Sequence, residues 1–204
     1  MIKKAKRKAQ SAKRPGLRKI SVFLCLIFTL CAMCYTLCAY AEKIETKYFT
    51  VSLCEGCSLS SFAEKINATK LFRLDALSGK SSDIRSVIKE GIDSLFLEVC
   101  DALDVTLKGY RGSIVVYPDS VEVSKTIYSN SQIIEANLPS LYIPSHNTIY
   151  ISFKDTTAGM LAHEMAHAAI STYFVTALPS KVQEILAGYS EYSIRKKTGS
   201  LPQK

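Results

Sequence analysis

Apolar and polar positions recur along this chain with two different periods, and the change from one to the other marks out its elements. Lys47–Leu53 (KYFTVSL) is aromatic and β-branched and predicts a short strand. Ser58–Thr69 opens on a serine cap and predicts a helix. Between Ser82 and Asp104 the apolar residues Ile84, Val87, Ile88, Ile92, Leu95, Leu97, Val99 and Leu103 have the spacing of an amphipathic helix with one buried stripe. From Gly109 the period shortens. Ser113–Tyr117 (SIVVY), ended by Pro118, predicts a buried strand, and Ser120–Ser129 a short helix or insertion. Leu141–Ile143 and Thr148–Phe153 predict two more strands, joined by the turn-forming Pro144–Asn147. The chain then enters a helix capped by Asp155 or Thr156 and running to about Tyr173. Thr176–Pro179 reads as a turn, with Pro179 opening a second helix. The fold class expected is α+β: a short mixed or antiparallel sheet packed on this pair of helices.

Composition changes the picture at the N-terminal end. The 204 residues carry a formal charge of +8, which points first to nucleic acid. However, residues 1–19 hold nine Lys or Arg and no acid, and residues 20–41 hold no charge, which leaves 17 basic against 18 acidic groups in residues 42–204. The basic excess therefore belongs to a leader, and no nucleic-acid partner is expected for the folded part. Ile20–Ala41 is a run of 22 uncharged, mostly apolar residues. About 20 such residues span a bilayer's hydrocarbon core, so a retained signal-anchor is expected, with the positive leader in the cytoplasm and residues 42–204 on the periplasmic or lumenal side. The alternative is cleavage at the A-x-A-like Ala39-Tyr40-Ala41, which releases a secreted domain. The expected organisation is a basic leader (1–19), a transmembrane segment (20–41) and one domain (42–204). Across a membrane a disulfide is permitted. Cys54, Cys57 and Cys100 are the cysteines beyond the apolar segment, so one pair is expected, Cys54–Cys57 or one of them with Cys100, with one thiol left free.

The chemistry concentrates in Asp155–Lys197. Two of the chain's three histidines fall here, as His163-Glu164-Met-Ala-His167, an H-E-x-x-H pattern. On a helix, positions 163 and 167 lie about 40° apart and one turn apart, so both imidazoles can reach one metal ion. From His167 to Tyr173 the helix climbs roughly 9 Å, and an antiparallel return from Pro179 to Glu184 descends roughly 7.5 Å. Glu184 is thus expected level with His167, as third ligand. The small residues Ala187 and Gly188 behind it are expected to let the two helices approach closely.

These residues carry a family resemblance. HEMAH followed by QEILAGYSEY resembles the gluzincin zinc metallopeptidases, and LPSKVQEILAGYSEY is similar to the LP-x-x-x-x-E-x-x-A-x-Y run of small members of that group. The resemblance covers about the last sixty residues. It implies a small metallopeptidase-like domain holding one Zn2+ per chain on His163, His167 and Glu184, with Glu164 as the catalytic carboxylate. Some gluzincins place a carboxylate four residues after the ligand Glu to orient a histidine; Gly188 stands there in this chain, leaving Glu191 or Asp155 for that task. In gluzincin-like architecture the strand Thr148–Phe153 would be a sheet edge that pairs with an extended peptide.

A zinc ion held by three protein groups keeps one position open, the mark of a catalytic site. Peptide-bond hydrolysis, with Glu164 handling the proton of the attacking water, is the activity expected. Tyr189, Tyr192 and His146 are the candidate donors to the oxyanion. With twenty residues after Glu184 the cleft is expected to be open, to a peptide or protein substrate or to a protein partner that completes its wall. The rival reading is a catalytically silent member of the fold, serving as a membrane-tethered peptide-binding adaptor. A two-histidine, one-carboxylate iron site is a lesser rival, because it leaves Glu164 without a task.

Overall fold

The computed structural model describes residues 40–66, 83–128 and 137–201. Among these residues five strands and five helices follow one another as β1 (Tyr40–Glu45), β2 (Phe49–Cys54), α1 (Leu59–Lys65), α2 (Ile84–Ala102), β3 (Gly112–Tyr117), α3 (Ser120–Tyr128), β4 (Ser140–Ile143), β5 (Thr148–Ser152), α4 (Ala158–Tyr173) and α5 (Ser180–Thr198). The sheet is mixed and ordered β1-β2-β3-β5-β4, so the α+β class expected from the periodicity is the class observed. β2, β3 and β5 run parallel, while β1 and β4 lie antiparallel on the two rims.

Alternation along the strands builds the core. Ile44, Val51, Ile114, Ile149 and Tyr142 stand side by side as one row across all five strands. Each of these side chains is buried, because residues of one parity share a sheet face and this face is covered by helices. α2 supplies Ile88, Ile92, Leu95, Phe96 and Val99 to the same core. Phe96 sits against Tyr48, Phe49 and Tyr110, with ring centroids 4.8–5.1 Å away. The serine cap expected for α1 is observed, with Ser58 accepting from the Ser61 N–H, and α2 is capped by Asp83, which accepts from the Arg85 N–H. α5 is tied to α2 by an ion pair between Lys197 and Glu98. Cys54 and Cys57 form a disulfide, and among the described residues Cys100 is the free thiol, and it is buried.

Three expectations need correction. Thr148–Phe153 is no edge: β5 lies inside, between β3 and β4. A 3-10 turn over Pro144–His146 and the left-handed Asn147 (φ 46°) fold β4 back along β5, so the rim strand is Ser140–Ile143. The cap of α4 is Thr157, whose hydroxyl accepts from the Met160 N–H at 3.2 Å, not Asp155 or Thr156. Asp155 is engaged one turn earlier, accepting from the Ser152 hydroxyl at 2.6 Å. Finally, β1 begins at Tyr40, so the last two residues of the apolar stretch 20–41 belong to a strand. The rest of that stretch, and the leader before it, lie outside the described residues. Among the described residues no helix is long and apolar enough to cross a membrane.

Candidate metal centre

α4 is buried on nearly every side. Ala158, Leu161, Ala162, Met165, Ala166, Ala168 and Ala169 are shut in the core, His163 and His167 face a cleft, and the last turn, Ser171–Tyr173, is exposed. α5 runs antiparallel beside it and returns Glu184 to the level of the two imidazoles. His163 Nε2 lies 3.3 Å from His167 Nε2, 3.4 Å from Glu184 Oε2, and His167 Nε2 lies 3.5 Å from Glu184 Oε1. One ligand atom from each of the three residues fits within 4.8 Å.

These separations suit a metal ion. A tetrahedral site with Zn–N bonds of 2.0–2.1 Å has ligand-to-ligand edges of about 3.3–3.4 Å. The proton arrangement suits one too. Glu191 Oε2 lies 3.2 Å from His163 Nδ1, and a carboxylate only accepts, so Nδ1 carries the hydrogen and Nε2 turns a lone pair towards His167 and Glu184. Burial, and then the neighbouring His163, hold His167 below the ordinary histidine value; Glu184 opposes this in part. His167 Nε2 faces the same point, where its lone pair can take a cation or, in the other tautomer, its hydrogen can go to His163 Nε2 or Glu184. The donor set of two imidazoles and one carboxylate is one that zinc accepts.

Glu164 is 6% exposed and sits between α4 and the rim strand β4. Its Oε1 accepts from the Ser140 hydroxyl at 2.8 Å, and the Tyr142 backbone N–H also donates to the carboxylate. Burial raises its pKa above the ordinary carboxylate value, against the opposing pull of those two donors and of His163. Ser140, Leu141, Tyr142, Pro144, His163 and Glu164 line one side of a cleft of about 420 Å³ whose other side is Ser180, Gln183 and Glu184 of α5.

The structure brings His163, Glu164, His167 and Glu184 together and leaves the three candidate oxyanion donors apart. Tyr189 and Tyr192 are 55% and 52% exposed and lie outside the lining of the cleft, on the face of α5 turned away from buried Ala187, Ser190 and Ile194. His146 is exposed, with Nδ1 3.1 Å from the Tyr150 hydroxyl, and is likewise outside the lining. Of the two carboxylates considered for orienting a histidine, Glu191 does so and Asp155 stays with Ser152. Ser140 went unrecognised in the sequence, because nothing local links a hydroxyl at the start of a strand to a helix residue 24 positions on. Gly188 is not the close-approach residue, since a Cβ there meets nothing within 4 Å. Gly159 is: a Cβ there would lie 2.8 Å from Arg195 Nε. A glycine in an otherwise alanine-rich helix was the available signal.

No protein-family model, curated protein or solved structure matches this chain.

Proposed function

We propose that the chain is a zinc metallopeptidase of gluzincin type, with His163, His167 and Glu184 as metal ligands and Glu164 as the carboxylate that moves the proton. The observation that carries this reading is the 3.3–3.5 Å triangle of ligand atoms with a buried carboxylate on the next residue. Zinc bound there would lower the pKa of a water towards about 7 and polarise a carbonyl. Glu164 is placed to accept a proton on its carboxylate and would pass it to the departing amine. A carboxylate with a raised pKa suits this exchange, because it holds a proton more readily than a surface acid does. Ser140 and the Tyr142 N–H fix its orientation.

Glu184, 62% exposed at its side chain, stands at the mouth of the cleft, so the site opens to solvent on the side where a substrate arrives. Among the described residues no strand pairs with the outer side of β4, which lines the cleft. An extended peptide laid along Ser140–Ile143 would gain backbone hydrogen bonds with little demand on its sequence. This rim takes over the substrate-pairing role expected of Thr148–Phe153. The extracytoplasmic, membrane-tethered setting belongs to the same proposal and rests on residues 1–41 as sequence.

The test pairs metal analysis with one substitution. Purified protein is expected to carry about one zinc per chain, and His163→Ala to remove it. Glu164→Gln is expected to keep the zinc and to slow hydrolysis of a mixed peptide library by roughly 10²–10⁴-fold. A protein that takes up no metal overturns the site. Zinc without hydrolysis in the wild type moves the conclusion to the peptide-binding adaptor.

A further inference from the structure

α4 and α5 face each other as two ladders. On α4 the rungs are Gly159, His163 and His167, each one turn apart; on α5 they are Glu184, Glu191 and Arg195, with Glu191 about 20° out of line with Glu184 after two turns. Running antiparallel, the ladders meet rung by rung. His167 and His163 face Glu184, His163 also faces Glu191, and Gly159 faces Arg195. Glu191 divides its two oxygens: Oε2 lies 3.2 Å from His163 Nδ1 and Oε1 lies 2.8 Å from Arg195 Nη2.

An i,i+4 pair of Glu and Arg on a helix is common and by itself contributes little. Two observations separate this one from an ordinary surface pair. Its carboxylate is shared with a histidine of the metal triangle, so any rotation of Glu191 turns the His163 ring. In addition, the arginine stem lies in a slot that exists only because residue 159 has no side chain: a Cβ there would come within 2.8 Å of Arg195 Nε and 2.9 Å of Cγ. The helix end does not explain the placement. Gly159 is the second residue of α4, where the N-terminal backbone disfavours a cation, and this offsets the favourable place of Arg195 in the last turn of α5. The side chain paired with the guanidinium there is Glu191.

We infer that Arg195, seated in the Gly159 slot, is a positioning residue for the metal site: it clamps Glu191, and Glu191 fixes the tautomer and ring orientation of His163. The inference rests on the metal-site reading. Glu191, two turns beyond Glu184 on α5, meets His163 through one oxygen and is tied down through the other. Arg195 supplies the hold.

Zinc affinity, measured by competition with a chromogenic chelator, tests this without reference to catalysis. Arg195→Gln is expected to weaken zinc binding within the roughly 10–100-fold range typical of groups that orient a ligand. Arg195→Lys should restore part of the loss. Gly159→Ala should weaken zinc in the same direction by less, because the arginine end can shift, while the melting temperature of the metal-free protein stays level or rises, alanine being the better helix former. In a Glu191→Gln background Arg195→Gln should add nothing. Wild-type affinity in Arg195→Gln overturns the inference, and so do losses that add up in the double variant. Wild-type affinity in Gly159→Ala overturns the slot. A wild-type protein that binds no zinc overturns the metal site itself, a different outcome from a site that binds zinc regardless of Arg195.

Discussion

α2 and α4 pack in the same helical layer on the same sheet, yet they are built to opposite rules. α2 buries one stripe of large side chains, Ile88, Ile92, Leu95, Phe96 and Val99, and leaves Arg85, Lys89 and Glu90 in solvent. α4 buries mostly small ones, with Ala158, Ala162, Ala166, Ala168 and Ala169 all at 0–1% exposure, and encloses the charged Glu164 among them. Large side chains remove the most apolar area from water, which is what a scaffold needs. Small ones bring backbones together. A metal site depends on separations of a few tenths of an ångström, and those follow from how closely α5 and β4 can approach α4. On the proposed metal site the chain would divide its labour, with one helix supplying stability and the other distance.

Substitutions on either side of that division should separate the two qualities. The largest loss of stability is expected from Phe96→Ala in α2, about 3–5 kcal/mol by urea denaturation, because it removes a ring packed against Tyr48, Phe49 and Tyr110. Molecules that remain folded should bind zinc as before. Ala187→Leu is the converse. Ala187 is fully buried on α5, three residues after Glu184, and overpacking there should cost about 1–3 kcal/mol. Zinc binding should fall far more than stability does, because α5 is pushed off α4 and Glu184 moves with it. If both variants lost zinc in proportion to stability, the division between the helices would fail.

A finer pair compares the two caps. Thr157→Ala at α4 and Asp83→Ala at α2 each remove one side-chain acceptor at a helix N-terminus, and each should cost about 1 kcal/mol. Only the first loosens the helix that carries His163. Its metal-free and zinc-loaded forms should therefore lose stability unequally, whereas the Asp83 variant loses the same in both.

How much of this was legible beforehand follows from which features are local. The rise per residue and the proline at 179 were enough to put Glu184 level with the histidines, and the observed 3.4 and 3.5 Å contacts sit where that reckoning pointed. Strand existence was legible from β-branched runs; strand order was not, because whether Thr148–Ser152 lies inside or at the rim depends on where β4 returns. The cap lay one residue beyond the two candidates Asp155 and Thr156, at Thr157. The turn through Ser152 and Asp155 decided it, and no helix propensity reports on that turn. Tyr189 and Tyr192 lie close to Glu184 along the axis but are rotated away from the contact with α4; the buried stripe Ala187, Ser190, Ile194 held that information. The Arg195–Gly159 contact joins residues 36 positions apart, and only the packed pair of helices reveals it.

Cys100 offers the smallest effect and a test from the scaffold side. It sits near the end of α2 at 8% exposure, and burial pushes its thiol from the ordinary 9.0 up to about 11. At pH 9 the native thiolate fraction is then roughly one in a hundred, against about half in the unfolded chain, because each unit between pH and pKa changes it tenfold. Alkylation by iodoacetamide, followed at the Cys100 peptide by mass spectrometry, should be slow at pH 8–9 and accelerate as the pH approaches 11. The sign for stability follows from the same shift. Between pH 9 and about 11 the unfolded chain has released a proton that the native state keeps, so stability contributed by this group is present below pH 9 and lost as the pH rises through that window. Measured against Cys100→Val, which cancels the titration of other groups such as Tyr110, the wild-type urea midpoint should be level below pH 9 and fall relative to the variant above it. A difference that stayed flat to pH 11, with rapid alkylation at pH 8, would mean that α2 does not seal its side of the core and that its large side chains do not make it the stable partner of the two helices.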